Sequence, residues 1–224
     1  MGASDFANLP HIGASIRRKE DVRYLTGAGQ YTDDIQLQNQ RHAVFLRSPH
    51  AHARISGIDT KKALAMPGVR AVFTGADLEG KVNGLPCGWL ITSTDGTPMK
   101  EPPHPVLAQG KVRYVGDHVA MVVADTLQQA RDAAEAVQVD YEPLPAVVDV
   151  RDARTATALH DAAPDNHCYR WAIGDKTKVD AVFATAAHVT RIALTNNRLV
   201  PNAIEPRSAI GAYNRASDEY TLYV

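Results

Sequence analysis

Val119-Ala120-Met121-Val122-Val123-Ala124 is an unbroken apolar run, the pattern of a strand covered on both faces. Asp125 or Thr126 follows as a helix cap, and Leu127, Ala130, Ala134 and Val137 then recur at helical spacing, with Gln128, Arg131, Asp132 and Glu135 mostly on the other side. Past the helix, Val137, Val139 and Tyr141 alternate with Gln138 and Asp140, a strand signature, so the segment predicts a strand, a helix and a strand in close succession. Earlier, Ala43 to Ser48 predicts a strand ended by Pro49, and Ile55 to Ile58 predicts another. Lys61 to Met66 predicts a helix capped by Asp59 or Thr60 and stopped by Pro67-Gly68, after which Val69 to Phe73 resumes as a strand. Further on, Asp175 is placed to cap a helix with Val179, Val182, Phe183 and Ala186 inward. Val189 to Asn196, Ser208 to Tyr213 and Glu219 to Val224 are expected as strands.

Between these elements the pattern fades. Gly27 and Gly29 suggest a turn between extended pieces in Ile16 to Ile35. Gly80 to Pro105 is rich in Gly and Pro and predicts a long surface excursion, extended through Glu101-Pro102-Pro103-His104-Pro105. The expected organisation is a loose arm over residues 1–15, an α/β domain over 16–148, a linker over 149–170 and the start of a second domain over 171–224. The final run Glu219 to Val224 lacks a polar tail, as if the polypeptide were cut within a larger fold.

Composition narrows the functional classes. The chain has 224 residues, with 24 basic and 25 acidic side chains for a net charge of −1, so there is no cationic excess for nucleic acid. No stretch is long and apolar enough for a membrane span, and Arg17-Arg18 is followed by the charged Lys19-Glu20-Asp21 where an export signal needs an apolar region, so a cytoplasmic protein is expected. Cys87 and Cys168 are isolated, which argues against zinc or iron–sulfur ligation and for two reduced thiols.

Few residues suggest chemistry of their own. His50 and His52, one residue apart, would face the same side of an extended segment, as a metal pair requires, but no third ligand lies nearby. Asp33-Asp34 and Asp117 with Glu142 are conceivable acid–base pairs, though Asp33 and Asp34 suit a strand end or turn cap better and Asp117 follows a turn glycine. Trp89 and Trp171 are candidates for stacking on a planar ligand. Glu205 and Arg207 flank Pro206 and could form an ion pair, or Arg207 could hold an anion, a structural pair being the favoured reading. Gly27-x-Gly29 has Thr32 where a dinucleotide fingerprint needs its third glycine, and neither a phosphate loop nor a Gly-x-Ser-x-Gly elbow is present.

An ordered series of segments carries more than any single motif. Arg23-Tyr24-Leu25-Thr26-Gly27 leads to Tyr31-Thr32-Asp33-Asp34-Ile35, then to Arg47-Ser48-Pro49-His50-Ala51-His52-Ala53 and Pro67-Gly68-Val69. The run from Lys111 to Ala124, the segment Asp140-Tyr141-Glu142-Pro143-Leu144-Pro145, and Asn197-Arg198 through Asn202-Ala203-Ile204-Glu205-Pro206-Arg207 complete it. Together they resemble the large, molybdopterin-binding subunit of the xanthine dehydrogenase and aldehyde oxidase family of molybdenum hydroxylases, over almost the whole chain. His118 departs from the small residue or proline common there.

The resemblance implies an α/β hammerhead domain with a mixed sheet and flanking helices, followed by the opening of a molybdopterin-binding domain. It implies a molybdenum–molybdopterin cofactor, often the cytosine dinucleotide, in the complete enzyme, and iron–sulfur and FAD partner subunits. The implied reaction is hydroxylation of an aldehyde or N-heterocycle with oxygen from water, the cofactor supplying reactivity and the protein placement. The family's Gly-Gly-x-Phe-Gly cofactor loop and late catalytic glutamate segment are absent, so no catalytic, cofactor-binding or metal residue is assigned and the chain alone is expected to be inactive. The competing readings are a non-enzymatic hammerhead module binding a protein partner and a small metalloenzyme built on His50 and His52. Apolar surface is expected to be exposed beyond the linker, with self-association or poor solubility as its consequence.

Overall fold

The computed structural model describes residues 16–197 and 199–224; the expected arm over residues 1–15, and Arg198, lie outside the described residues. In chain order the elements are α1 (Asp21–Leu25), a 3-10 turn (Thr32–Asp34), β1 (His42–Arg47), β2 (Ala53–Asp59), α2 (Lys61–Leu64), β3 (Val69–Thr74) and α3 (Gly75–Leu78). They continue with β4 (Lys111–Val112), β5 (His118–Ala124), α4 (Leu127–Ala136), β6 (Gln138–Pro143), α5 (Lys176–Thr185), β7 (Ile210–Asn214) and β8 (Glu219–Tyr223). The chain divides into two compact units, one spanning Asn39–Ile192 and one whose described residues come from 16–38 and 193–224.

The larger unit is α/β, with two three-stranded sheets in the orders β1-β5-β3 and β4-β2-β6. The pairings are antiparallel, so the mixed sheet expected within this fold class resolves into antiparallel ladders. The uniform apolar run is the central strand β5, whose Val122 lies opposite Val44 of β1 and Val72 of β3. Alternating β6 is an edge strand of the other sheet, paired with β2 through Ile58 and Val139. The expected strand–helix–strand order is therefore present, but α4 carries the chain from one sheet to the other rather than between neighbours. The difference in pattern has a physical basis: a central strand needs apolar residues on both faces, and an edge strand with one wet face does not.

Alanines let α4 approach the sheet closely, with Ala130, Ala133 and Ala134 buried against it. Thr126 caps this helix, its hydroxyl accepting from the Gln129 N–H while the Gln129 side chain accepts from the Thr126 N–H, so two otherwise orphan donors are satisfied together. One core cluster comprises Ala63, Val122, Ala133, Ala134 and Val137. A second comprises Ala53, Ala108, Val112 and Val119, and Ile58 and Val139 pack against both. Gly75 allows a close crossing, because a Cβ there would lie 2.3 Å from the Ala108 carbonyl oxygen.

The excursion from Gly80 to Pro105 has no regular strand or helix, only an isolated bridge between Thr92 and Pro98. Residues 149–170 carry structure of their own. The Asn166 side chain donates to the Ala153 and Thr157 carbonyls and accepts from the Leu159 N–H. The Thr94 and Lys100 N–H groups donate to the Arg170 and Cys168 carbonyls, and Lys100 pairs with Asp165 at 2.9 Å, binding this segment to the excursion.

Three local expectations are corrected. The first piece of Ile16 to Ile35 is the helix α1 rather than extended chain, and it ends where Gly27 takes φ +73°. Val189 to Asn196 forms no strand, because it finds no ladder partner among the described residues. Helix α5 does form, with Asp175 accepting from the Lys178 N–H at 3.0 Å, but Val179, Val182 and Phe183 are exposed rather than inward. In the smaller unit, β7 and β8 form an antiparallel hairpin in which Tyr213 packs on Tyr220.

Candidate functional site

The histidine pair does not form a metal site. Ser48 to His52 is a bend rather than extended chain, because the Ser48 hydroxyl accepts from the His50 N–H at 3.0 Å and donates to the His50 carbonyl at 2.9 Å. The His50 ring packs on Tyr141 at 4.9 Å between centroids. His52 is buried, and its Nδ1 donates to the Pro145 carbonyl at 2.7 Å while the Leu144 N–H donates back to the His52 carbonyl. The two imidazoles thus have separate structural duties, and the described residues contain no cluster of three ligating side chains able to hold a metal. The Nε2 atom of His52 is buried without a hydrogen-bond partner.

The proposed carboxylate pairs are similarly engaged. The Asp34 carboxylate accepts from the Tyr31 N–H at 2.9 Å, the turn-capping role expected of it. Asp117 accepts from the Arg113 N–H at 3.0 Å, and Glu142 pairs with Arg54 at 3.2 Å on the surface, so each of these two carboxylates has its own partner. Glu205 and Arg207 form no ion pair among the described residues. Glu205 instead lines a shallow hollow of about 160 Å³ with Asp33, Asp34, Tyr31 and Ser208. Trp89 and Trp171 are exposed, and Cys87 and Cys168 are free thiols.

Sequence reasoning missed one feature. A cleft of about 220 Å³ is lined by Pro102, Pro103, His104, Pro105, Lys111, Arg113, Tyr114, Asp117 and His160. The Arg113 Nε donates to the Leu159 carbonyl at 3.0 Å, which fixes the guanidinium against residues 149–170. Burial, reinforced by the Arg113 charge, holds His160 below the usual imidazole value, so its ring is neutral near pH 7. Burial also lowers His118, helped by Arg47, and raises the Tyr114 hydroxyl, helped by Asp117. His104, the Lys111 and Arg113 pair, and His160 come from three separate stretches of the chain, and only the fold gathers them.

Comparison with known proteins settles the kinship. The aldehyde oxidase and xanthine dehydrogenase a/b hammerhead domain matches residues 26–145, and the molybdopterin cofactor-binding domain matches residues 159–224. The chain belongs to the xanthine dehydrogenase and aldehyde oxidase family of molybdenum hydroxylase large subunits. It is 38% identical to the carbon monoxide dehydrogenase large chain of Afipia carboxidovorans, over 96% of this chain and 27% of that one. The nicotine 6-hydroxylase large subunit of Paenarthrobacter nicotinovorans is 37% identical, over 95% of this chain and 26% of the relative. Among solved structures, quinoline 2-oxidoreductase from Pseudomonas putida 86 superposes with a TM-score of 0.81 at 36% identity, covering 93% of this chain and 26% of that one. The chain thus spans about a quarter of the length of the curated relatives it matches.

A molybdopterin-type cofactor is the group this family membership implies. The described residues do not by themselves form a site for it. The hollow beside Glu205 is walled by the carboxyl groups of Asp33, Asp34 and Glu205, which would repel the phosphates of such a cofactor. Within 171–224 the side chains of Ile192, Leu194, Leu199, Val200 and Leu222 are exposed. No helix among the described residues is long and apolar enough to cross a membrane.

Proposed function

We propose that this chain is the N-terminal scaffold part of a molybdenum hydroxylase large subunit, an oxidoreductase that hydroxylates an aldehyde or N-heterocycle with oxygen taken from water. The observation that carries this reading is the succession of a hammerhead match and a molybdopterin-domain match along one chain, at about a quarter of the relatives' length. On this reading the domain limits are a hammerhead over 16–148, a connecting segment over 149–170 and the beginning of the cofactor domain over 171–224. The complete enzyme carries its molybdopterin as the cytosine dinucleotide, works in the cytoplasm, and passes electrons to iron–sulfur and FAD subunits. The exposed apolar side chains of α5 and of 192–204 support the scaffold role, since they suit contact with further parts of such an enzyme.

On this reading the 224-residue chain places structure around a redox centre and performs no step alone. The test is to isolate the protein from its own host with accompanying subunits and measure molybdenum, and to assay the 224-residue chain separately. Stoichiometric molybdenum in the complex and no turnover by the chain are expected. A complex free of molybdenum, or hydroxylation by the isolated chain without added cofactor, overturns the reading.

A further inference from the structure

We propose that the cleft between the proline-rich excursion and the β4–β5 turn binds a small organic anion, a carboxylate or phosphate monoester, with the charged group at Lys111 and Arg113 and the apolar body against Pro102, Pro103 and Pro105. The placement of the two cations follows from the strand. Val112 is fully buried in the core, so Lys111 and Arg113, two positions apart, fall together on the opposite, cleft-lining side. Neither side chain takes part in an ion pair among the described residues. The Arg113 Nε is held by the Leu159 carbonyl, leaving its terminal N–H groups for a ligand on an already positioned fork.

Asp117 is the carboxylate on the cleft wall, and it already accepts from the Arg113 N–H at 3.0 Å. The cleft therefore keeps a cationic balance from Lys111 and Arg113 without counting its histidines. Three proline rings make one wall rigid and apolar, so a bound ring or short hydrocarbon would displace water there without ordering flexible side chains. A volume of about 220 Å³ suits a one-ring anion and is far too small for a dinucleotide. His160 adds a reporter: Arg113, His104 and His52 and its own burial favour its neutral form and Asp161 opposes them, so a bound anion should raise its titration point.

The inference is independent of the molybdenum reading, and its readout is binding rather than turnover. The protein is expressed in its own host with its accompanying subunits and titrated calorimetrically with benzoate, phenyl phosphate and benzyl alcohol, as wild type and as Lys111→Gln and Lys111→Arg. Saturable binding of both anions but not of benzyl alcohol is expected, weakened about tenfold in Lys111→Gln and largely kept in Lys111→Arg. Benzoate should also raise the His160 imidazole titration seen by NMR. No saturable binding up to about 10 mM overturns the proposal, as does equal binding of benzyl alcohol. Anion affinity unaltered in Lys111→Gln overturns it too, since the anion is then bound elsewhere.

Discussion

Val122→Ala tests whether the β5 core carries the stability of the larger unit. Val122 is fully buried at the centre of the β1-β5-β3 sheet and packs with Ala63, Ala133, Ala134 and Val137. Removing two methyl groups forfeits about 1.6 kcal/mol at ~0.8 kcal/mol per buried carbon. The neighbours on the helix side are alanines, which have no longer side chain to swing into the space, so a residual cavity raises the expected cost to about 2–3 kcal/mol. Val179→Ala on α5 is the control. The side chain removed is the same, but Val179 is 50% exposed, and the cost should stay within about 0.5 kcal/mol. Both variants are compared with wild type by urea unfolding followed by far-UV circular dichroism, with m-values checked for constancy. A loss below about 1 kcal/mol for Val122→Ala, or equal losses for the two variants, would refute the assignment of the core.

Other consequences are direct. Thr126→Ala removes the α4 cap and should cost about 1 kcal/mol in the same urea assay, with Thr126→Ser restoring most of it. Gly75→Ala would force a Cβ against the Ala108 carbonyl, and a cost of about 1–3 kcal/mol should appear as a lower thermal midpoint. His118 and His160 both sit below the ordinary imidazole value of 6.5, so the unfolded chain binds protons there before the folded chain does. Their contribution is fully present above about pH 6.5 and is lost as pH falls through the depressed folded values, so the thermal midpoint should drop as pH falls below about 6.5, less steeply in His160→Gln. Phe183→Asp replaces an exposed aromatic on α5 and should leave thermal stability nearly unchanged while lowering self-association of the isolated chain in light scattering.

The elements of the larger unit were legible because each had a local cause. Pro49 and Pro67-Gly68 bounded strands and helices, Thr126 and Asp175 capped helices, and period-two alternation marked β6. Sheet membership was not legible, since the order β1-β5-β3 beside β4-β2-β6 is set by pairings between residues dozens of positions apart. Backbone bonding decided the fate of His50 and His52: a two-way Ser48–His50 turn bends the segment that the spacing alone would have drawn straight. The cleft at Arg113 escaped notice for a related reason. Lys111 opens the short strand β4 with Arg113 just beyond it, and the cleft's prolines read only as loop composition until His160 joins them across the cleft.

Helical periodicity and burial are separate properties, and α5 shows them parting. Its cap and its length of 10 residues specify a helix locally, with the i, i+4 pair of Lys176 and Asp180 adding support. Its apolar side chains nevertheless meet solvent, whereas the alanines of α4 are sealed against β1 and β5. A helix this short draws most of its stability from packing an apolar face, so α5 is marginal unless Val182 and Phe183 find a cover. Neither side chain belongs to the clusters that build the sheet core. The same sequence therefore encodes one apolar set satisfied within the unit and another left on its surface.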